Sequence, residues 1–199
     1  GNTLRKGFDK LDDMVELFKN NLNSIEKLFL SSGETVMQRG YYKILELLLE
    51  NGKTDIEINI HSNFSKYEFG NYNFFELINK FSNVTLFASL DGYGDRAEYI
   101  REGTVWSEIE KNRQLLKNYT NVKFAIQSVI TNLNLWSLPD FHIDWYEKKF
   151  IEKNNIRYFC LTSPEELHIS VLSDKMKEKI LLKYESYLHF LIFKKYSRT

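Results

Sequence analysis

Ser89 and Asp91, two positions apart and followed at once by Gly92 and Gly94, are the residues of this chain best placed to do chemistry. A hydroxyl that donates and accepts, beside a carboxylate that accepts or pairs with a cation, can fix a polar ligand in one orientation. Glu57, Asn59 and His61 form a second set at a spacing of two, and Lys123 and Gln127 a third. The stretch Val84–Arg101 explains how the first set is positioned. Val84, Leu86, Ala88 and Leu90 alternate with Thr85, Phe87, Ser89 and Asp91, the period of a strand, and the glycines break it. A buried strand would thus deliver Ser89 and Asp91 at its carboxyl end, where α/β proteins bind ligands.

The other elements follow from periodicity and end signals. Phe8–Asn23 spaces Leu11, Met14, Val15, Phe18 and Leu22 as one helical face. Ile25–Ser32 reads as a strand, Tyr41–Asn51 as a helix ended by Gly52, and Asp55–Ser62 as a strand with Ile56, Ile58 and Ile60 on one face. A short helix is expected over Phe74–Phe81, and another from a Ser107/Glu110 capping box to about Asn118. Val122–Ile130 is a strand, Ser137 and Pro139 start a helix running to about Lys153, and Ile156–Leu161 is a strand. Ser173 caps a last helix with Met176, Ile180, Tyr184, Leu188 and Leu191 on its apolar face.

Helix and strand alternate throughout, which favours a parallel sheet. In a sheet covered on both faces by helices the strands are almost wholly apolar. Here one face of the second strand carries Glu57, Asn59 and His61, and the fourth carries Lys123 and Gln127. Polar faces from separate strands converge most simply on the lumen of an incomplete barrel. Glu57 and Lys123 could equally sit at an exposed edge or satisfy one another as an ion pair.

The 199 residues, 43% hydrophobic and 15% aromatic, suffice for one full core, so a single domain over 1–199 is expected. Its partial-barrel units would cover about 9–155, and the last strand and helix 156–199. Lys plus Arg and Asp plus Glu are both 27, which gives no electrostatic case for nucleic acid or an anionic membrane as partner. No apolar run has membrane-spanning length, and Cys160 is alone, so a cytoplasmic protein without disulfides is expected, with Cys160 a small buried hydrophobe. The four histidines are too scattered to pair on one helix face as metal ligands. Gly92-Tyr-Gly94-Asp-Arg-Ala97 fits the dinucleotide pattern G-x-G-x-x-A, which makes a dinucleotide-dependent oxidoreductase a lesser alternative, since no acid closes the next strand at the right distance. Leu90-Asp91-Gly92 lacks the second aspartate of aspartyl phosphatases, Ser89 standing in its place. The basic end from Lys194 reads as a solvated tail.

Taken in order, several segments resemble the radical S-adenosylmethionine (SAM) enzymes. Phe29–Met37, FLSSGETVM, is similar to the Gly-Gly-Glu-Pro segment that ends their second strand: Gly33 and Glu34 match, while Ser32 and Thr35 replace glycine and proline. Ser62-Asn63 stands where a Thr-Asn-Gly ends the third strand. Ser89-Leu90-Asp91-Gly92 and Glu98–Arg101 resemble the fourth strand and the arginine segment after it, and Gln127 stands where the fifth strand meets the adenosyl group. The resemblance implies an incomplete TIM-like (β/α) barrel of mostly parallel strands. It implies that Glu34 and the Gly33 backbone hold the amino group of SAM, and that Ser89 and Arg101 help fix its ribose and carboxylate.

The same resemblance implies a [4Fe–4S] cluster in an intact enzyme, which reductively cleaves SAM to a 5′-deoxyadenosyl radical that modifies a substrate. Cluster iron takes thiolates from a C-x-x-x-C-x-x-C loop after the first strand. With Cys160 alone, and a chain that opens Gly1-Asn2-Thr3 at what would be the first helix, the first strand and cluster loop are expected to be absent. The chain reads as a fragment or cluster-less relative, inactive in radical chemistry as it stands; the alternative is a binding domain for a small molecule or peptide that reuses the lumen. An unpaired edge at Ile25–Ser32 would then favour homodimers.

Overall fold

The computed structural model describes residues 11–193. Phe8 to Lys10 of the expected first helix, and the basic end, lie outside them. In chain order the elements are α1 (Leu11–Asn20), β1 (Lys27–Leu30), α2 (Arg39–Glu50), β2 (Glu57–Ser62), β3 (Glu68–Phe69), β4 (Tyr72–Asn73), α3 (Phe74–Ile78) and β5 (Val84–Ser89). They continue with α4 (Gly94–Ile100), α5 (Trp106–Leu116), β6 (Val122–Ile130), α6 (Leu138–Glu147), β7 (Ile156–Cys160) and α7 (Asp174–Phe193). The main sheet runs β1-β2-β5-β6-β7, with β1 and β7 at its edges. β1 pairs parallel to β2, Lys27 opposite Glu57 and Phe29 opposite Asn59, and β6 pairs parallel to β7. The fold is therefore α/β with a mostly parallel sheet, as the alternation predicts.

The chain divides into two compact units. The first comprises the described residues up to Phe87 together with Leu115–Lys123; the second, Ala88–Gln114 together with the described residues from Phe124 onward.

In the first unit, period-two alternation turns Leu28, Leu30, Ile58 and Ile60 inward, all at most 7% exposed. α2 adds Tyr42, Ile44, Leu45 and Leu48 to the same core. Gly40 lets α1 approach it closely: a Cβ there would lie 2.9 Å from Met14 Cε and 3.0 Å from Leu11 Cδ1. Phe64, Phe74 and Phe75 are buried, Phe64 and Phe75 stacking at 5.8 Å. The antiparallel β3–β4 hairpin, two residues a side, is too short to leave a period in the sequence.

The second unit is built on aromatic packing. Trp145 sits 5.2 Å from Phe141, 5.3 Å from Phe150 and 5.5 Å from Trp106. Arg113 lies over the Phe124 ring and donates to the Phe150 carbonyl at 2.6 Å, and burial pushes its pKa down to about 10.

Four sequence expectations are corrected here. The helix expected to start at Ser107 starts at Trp106, because Glu98 of α4 accepts the Trp106 N–H at 2.7 Å and supplies the cap from outside the helix. α6 ends at Glu147 rather than near Lys153, where Lys149 takes a left-handed φ of 57° and the Phe150 N–H turns back to the Trp145 carbonyl. In α7 the buried residues are Ile180 and Tyr187, while Leu188 is exposed. Cys160 also differs from expectation: it ends an edge strand and is exposed.

Candidate functional site

The predicted site residues form two constellations, one in each unit. The first is built on the loop after β1. Glu34 caps the 3₁₀ turn Thr35–Met37, its Oε1 accepting from the Val36 N–H at 3.1 Å. The same oxygen accepts from Ser62 Oγ at 2.7 Å, and Oε2 accepts from the Asn63 N–H at 2.8 Å. One carboxylate thus ties the loop after β1 to the end of β2. Thr35, fully buried, donates its hydroxyl to the His61 carbonyl. Tyr42 donates to the Val36 carbonyl at 2.8 Å and Tyr41 to the Ser31 carbonyl at 2.9 Å. Burial, then the Glu34 charge, raises the Tyr42 pKa, so this phenol stays a donor.

Beyond Ser62-Asn63 comes Phe64 at φ 63°, a left-handed conformation that costs a bulky residue roughly 1–2 kcal/mol. It stands at the position where the resembled Thr-Asn-Gly has its glycine. Burial of the ring and two local hydrogen bonds hold it: Ser62 Oγ accepts from the Phe64 N–H at 2.9 Å, and Asn63 Oδ1 from the Ser65 N–H at 2.9 Å.

The predicted polar face of β2 is present. Glu57 pairs with Lys27 at 2.6 Å and accepts from Asn59 Nδ2 at 2.7 Å. Those bonds, Lys27 first, hold its carboxyl below the usual range, with the Lys123 charge a smaller contribution. Glu57 is therefore partnered by Lys27 rather than by Lys123, which sequence spacing had left open. His61 stacks on Phe87 at 5.1 Å, 18° between planes.

The second constellation centres on Asp91, 7% exposed. Its Oδ1 accepts from the Val129 N–H at 2.7 Å and its Oδ2 from Arg101 Nε at 2.7 Å. Sequence reasoning missed Asn134. Fully buried, it donates to the Asp91 and Val129 carbonyls, both at 2.8 Å, and accepts from the Thr131 N–H at 2.8 Å. No spacing rule marks such an asparagine; the only signal was its place after a strand end. Ser89 is half-buried at the last position of β5, and the Gln127 carbonyl accepts the Leu90 N–H at 3.2 Å. Gly94, at φ 56°, opens α4, a helix of seven residues. Gly94 of the G-x-G-x-x-A match thus serves a turn, whereas a Cβ at Gly92 would meet only ordinary contacts, 3.7 Å or more.

No protein-family model and no curated protein matches the sequence. Solved structures do match the fold. Native anSMEcpe with bound AdoMet and a Cp18Cys peptide superposes with a TM-score of 0.58 at 18% identity, covering 75% of this chain and 42% of that one. SuiB of Streptococcus suis bound to S-adenosylmethionine gives 0.58 at 14%, covering 94% and 40%. TYW1 with a lysine-pyruvate adduct bound gives 0.52 at 15%, covering 94% and 64%. The chain shares the fold of these structures, which are radical SAM enzymes. It spans about two-fifths of the length of the anSMEcpe and SuiB chains it matches.

Do the residues present fit what this fold family carries? A carboxylate offers about four acceptor positions. Glu34 Oε1 has two donors and Oε2 one, which leaves Oε2 room for an ammonium. The space beside Gly33 is open, since a Cβ built there meets nothing within 4 Å. Both observations suit the amino group of an amino acid or of SAM. A [4Fe–4S] cluster does not fit: these 199 residues hold one cysteine, where three thiolates are needed.

Proposed function

We propose that this chain is the SAM-binding body of a radical SAM-type protein, with the Glu34 carboxylate as receptor for the SAM ammonium. The observation that carries this reading is the Glu34 constellation. Its carboxylate is fixed by protein donors on both oxygens, retains one acceptor position, and lies next to a glycine that faces open space. A group so held loses little entropy when it meets a cation, which is the physical content of preorganisation. In the second unit, Asp91 holds Arg101 through Nε. The terminal guanidinium nitrogens then remain for an anionic group, a separate feature of that unit. The neighbours anSMEcpe and SuiB were crystallised with this cofactor, which supports the same assignment.

SAM supplies radical chemistry only beside a cluster, whose thiolates would come from residues other than these 199. What this chain contributes is binding and orientation. On its own it is a cluster-less SAM-binding fragment or relative. The alternative reading is a non-catalytic interaction domain that self-associates through β1, an edge strand with Phe29 61% exposed. Calorimetric titration with SAM tests the first reading. Saturable binding with one site per chain is expected; no saturable uptake up to about 1 mM, the weak end of specific affinity, contradicts it.

A further inference from the structure

The second unit holds a cavity of about 560 Å³, within the size range of small-molecule sites. Leu135, Ile169, Leu172, Ile180 and Leu181 give it apolar walls. Tyr184 adds its ring, its hydroxyl already donated to the Leu135 carbonyl at 2.9 Å. The remaining lining residues are His168, Ser170 and Lys177, so no carboxylate among the described residues lines it. His168 Nδ1 accepts from the Ser170 N–H at 3.2 Å and bonds Ser170 Oγ at 2.7 Å. In a neutral imidazole the hydrogen then belongs to Nε2, which is a donor. Lys177 pairs only loosely with Asp174, at 3.5 Å, and that partner is 98% exposed. Such a pair contributes little and yields readily to a better anion.

We propose that this cavity binds a small amphipathic carboxylic acid, its apolar body between Leu135 and α7 and its carboxylate on Lys177 and His168. Apolar walls select the body, and donors with a cation whose one acidic partner, Asp174, is turned to solvent select the head. Nothing in this reading depends on SAM.

Titration of the full chain with decanoate, 1-decanol and decylammonium, all below their micelle concentrations, tests it. Decanoate is expected to bind one site per chain, at least about tenfold more tightly than decylammonium, a difference typical of one good ion pair. Lys177→Gln should cut that preference below about threefold while leaving decanol affinity unchanged. Leu181→Glu, at a side chain 61% exposed and so tolerated by the fold, should weaken decanoate about tenfold by blocking the mouth with a like charge. Decylammonium binding as tightly as decanoate would overturn the choice of head group. Decanoate affinity untouched by Leu181→Glu, or no saturable uptake, would overturn the site.

Discussion

Glu34 carries two roles at once, and they separate by experiment. As a structural group it satisfies the Val36 and Asn63 amides and the Ser62 hydroxyl. Glu34→Gln puts an amide NH₂ where an acceptor was, leaving at least one donor without a partner. A loss of about 1–3 kcal/mol in urea unfolding is expected; a change below about 0.5 kcal/mol would show that the loop does not depend on this carboxylate. Asp91 is more deeply committed. Asp91→Asn presents an NH₂ to Arg101 or to the Val129 amide, and should cost about 2–4 kcal/mol, somewhat under the roughly 3–5 of a fully buried pair because Arg101 is partly exposed. Asn134→Asp, which removes the donors to two carbonyls, should fall in the same range.

At the scale of elements, β1 is the exposed strand that most invites pairing. Phe29 stands outward on it and Lys27 beside it is drawn to Glu57, so the usual lysine protection of an edge is partly spent. Analytical ultracentrifugation should therefore find a concentration-dependent dimer, and Phe29→Lys should return it to monomer; a monomer at millimolar chain concentration would contradict this. Strand positions were legible in the sequence because alternation sets them. β6 falls at Val122–Ile130 as expected, and β5 ends at Ser89, two residues short of Asp91. Ser62, Asn63, Asp91 and Arg101 could be named from spacing and resemblance. Their partners could not, because Glu34 meets Ser62 across 28 positions and Asp91 meets Val129 across 38. Thr35 shows the limit most clearly: it looks like a departure from a proline motif, yet its hydroxyl braces the loop on His61. Glu98 likewise hides in the arginine segment, although it caps α5.

For the molecule as a whole, one buried imidazole should make stability fall on mild acidification. His142, 1% exposed with Nδ1 against the Tyr187 hydroxyl, has its pKa lowered from 6.5 to about 4, by burial first and the Lys153 charge second, against a backbone bond to Lys153. Above pH 6.5 folded and unfolded chains are both neutral there, so the group has no effect. As pH falls from 6.5 towards 4, the unfolded chain takes up a proton that the folded chain refuses, and stability declines by up to about 3 kcal/mol. His142→Phe should flatten the fall in melting temperature across that window; an unchanged slope would assign it to other groups. Among the described residues no helix is long and apolar enough to cross a membrane.

Glu34 is the proposed receptor for the SAM ammonium. The direct test titrates SAM and 5′-methylthioadenosine, which lacks the amino-acid moiety, into the wild type and Glu34→Gln. The predicted result is a loss of about 10- to 100-fold for SAM alone, the 1.5–3 kcal/mol of a charge-assisted bond, with methylthioadenosine unaffected and so reporting an intact fold. Equal losses for both ligands, or none for SAM, would contradict it.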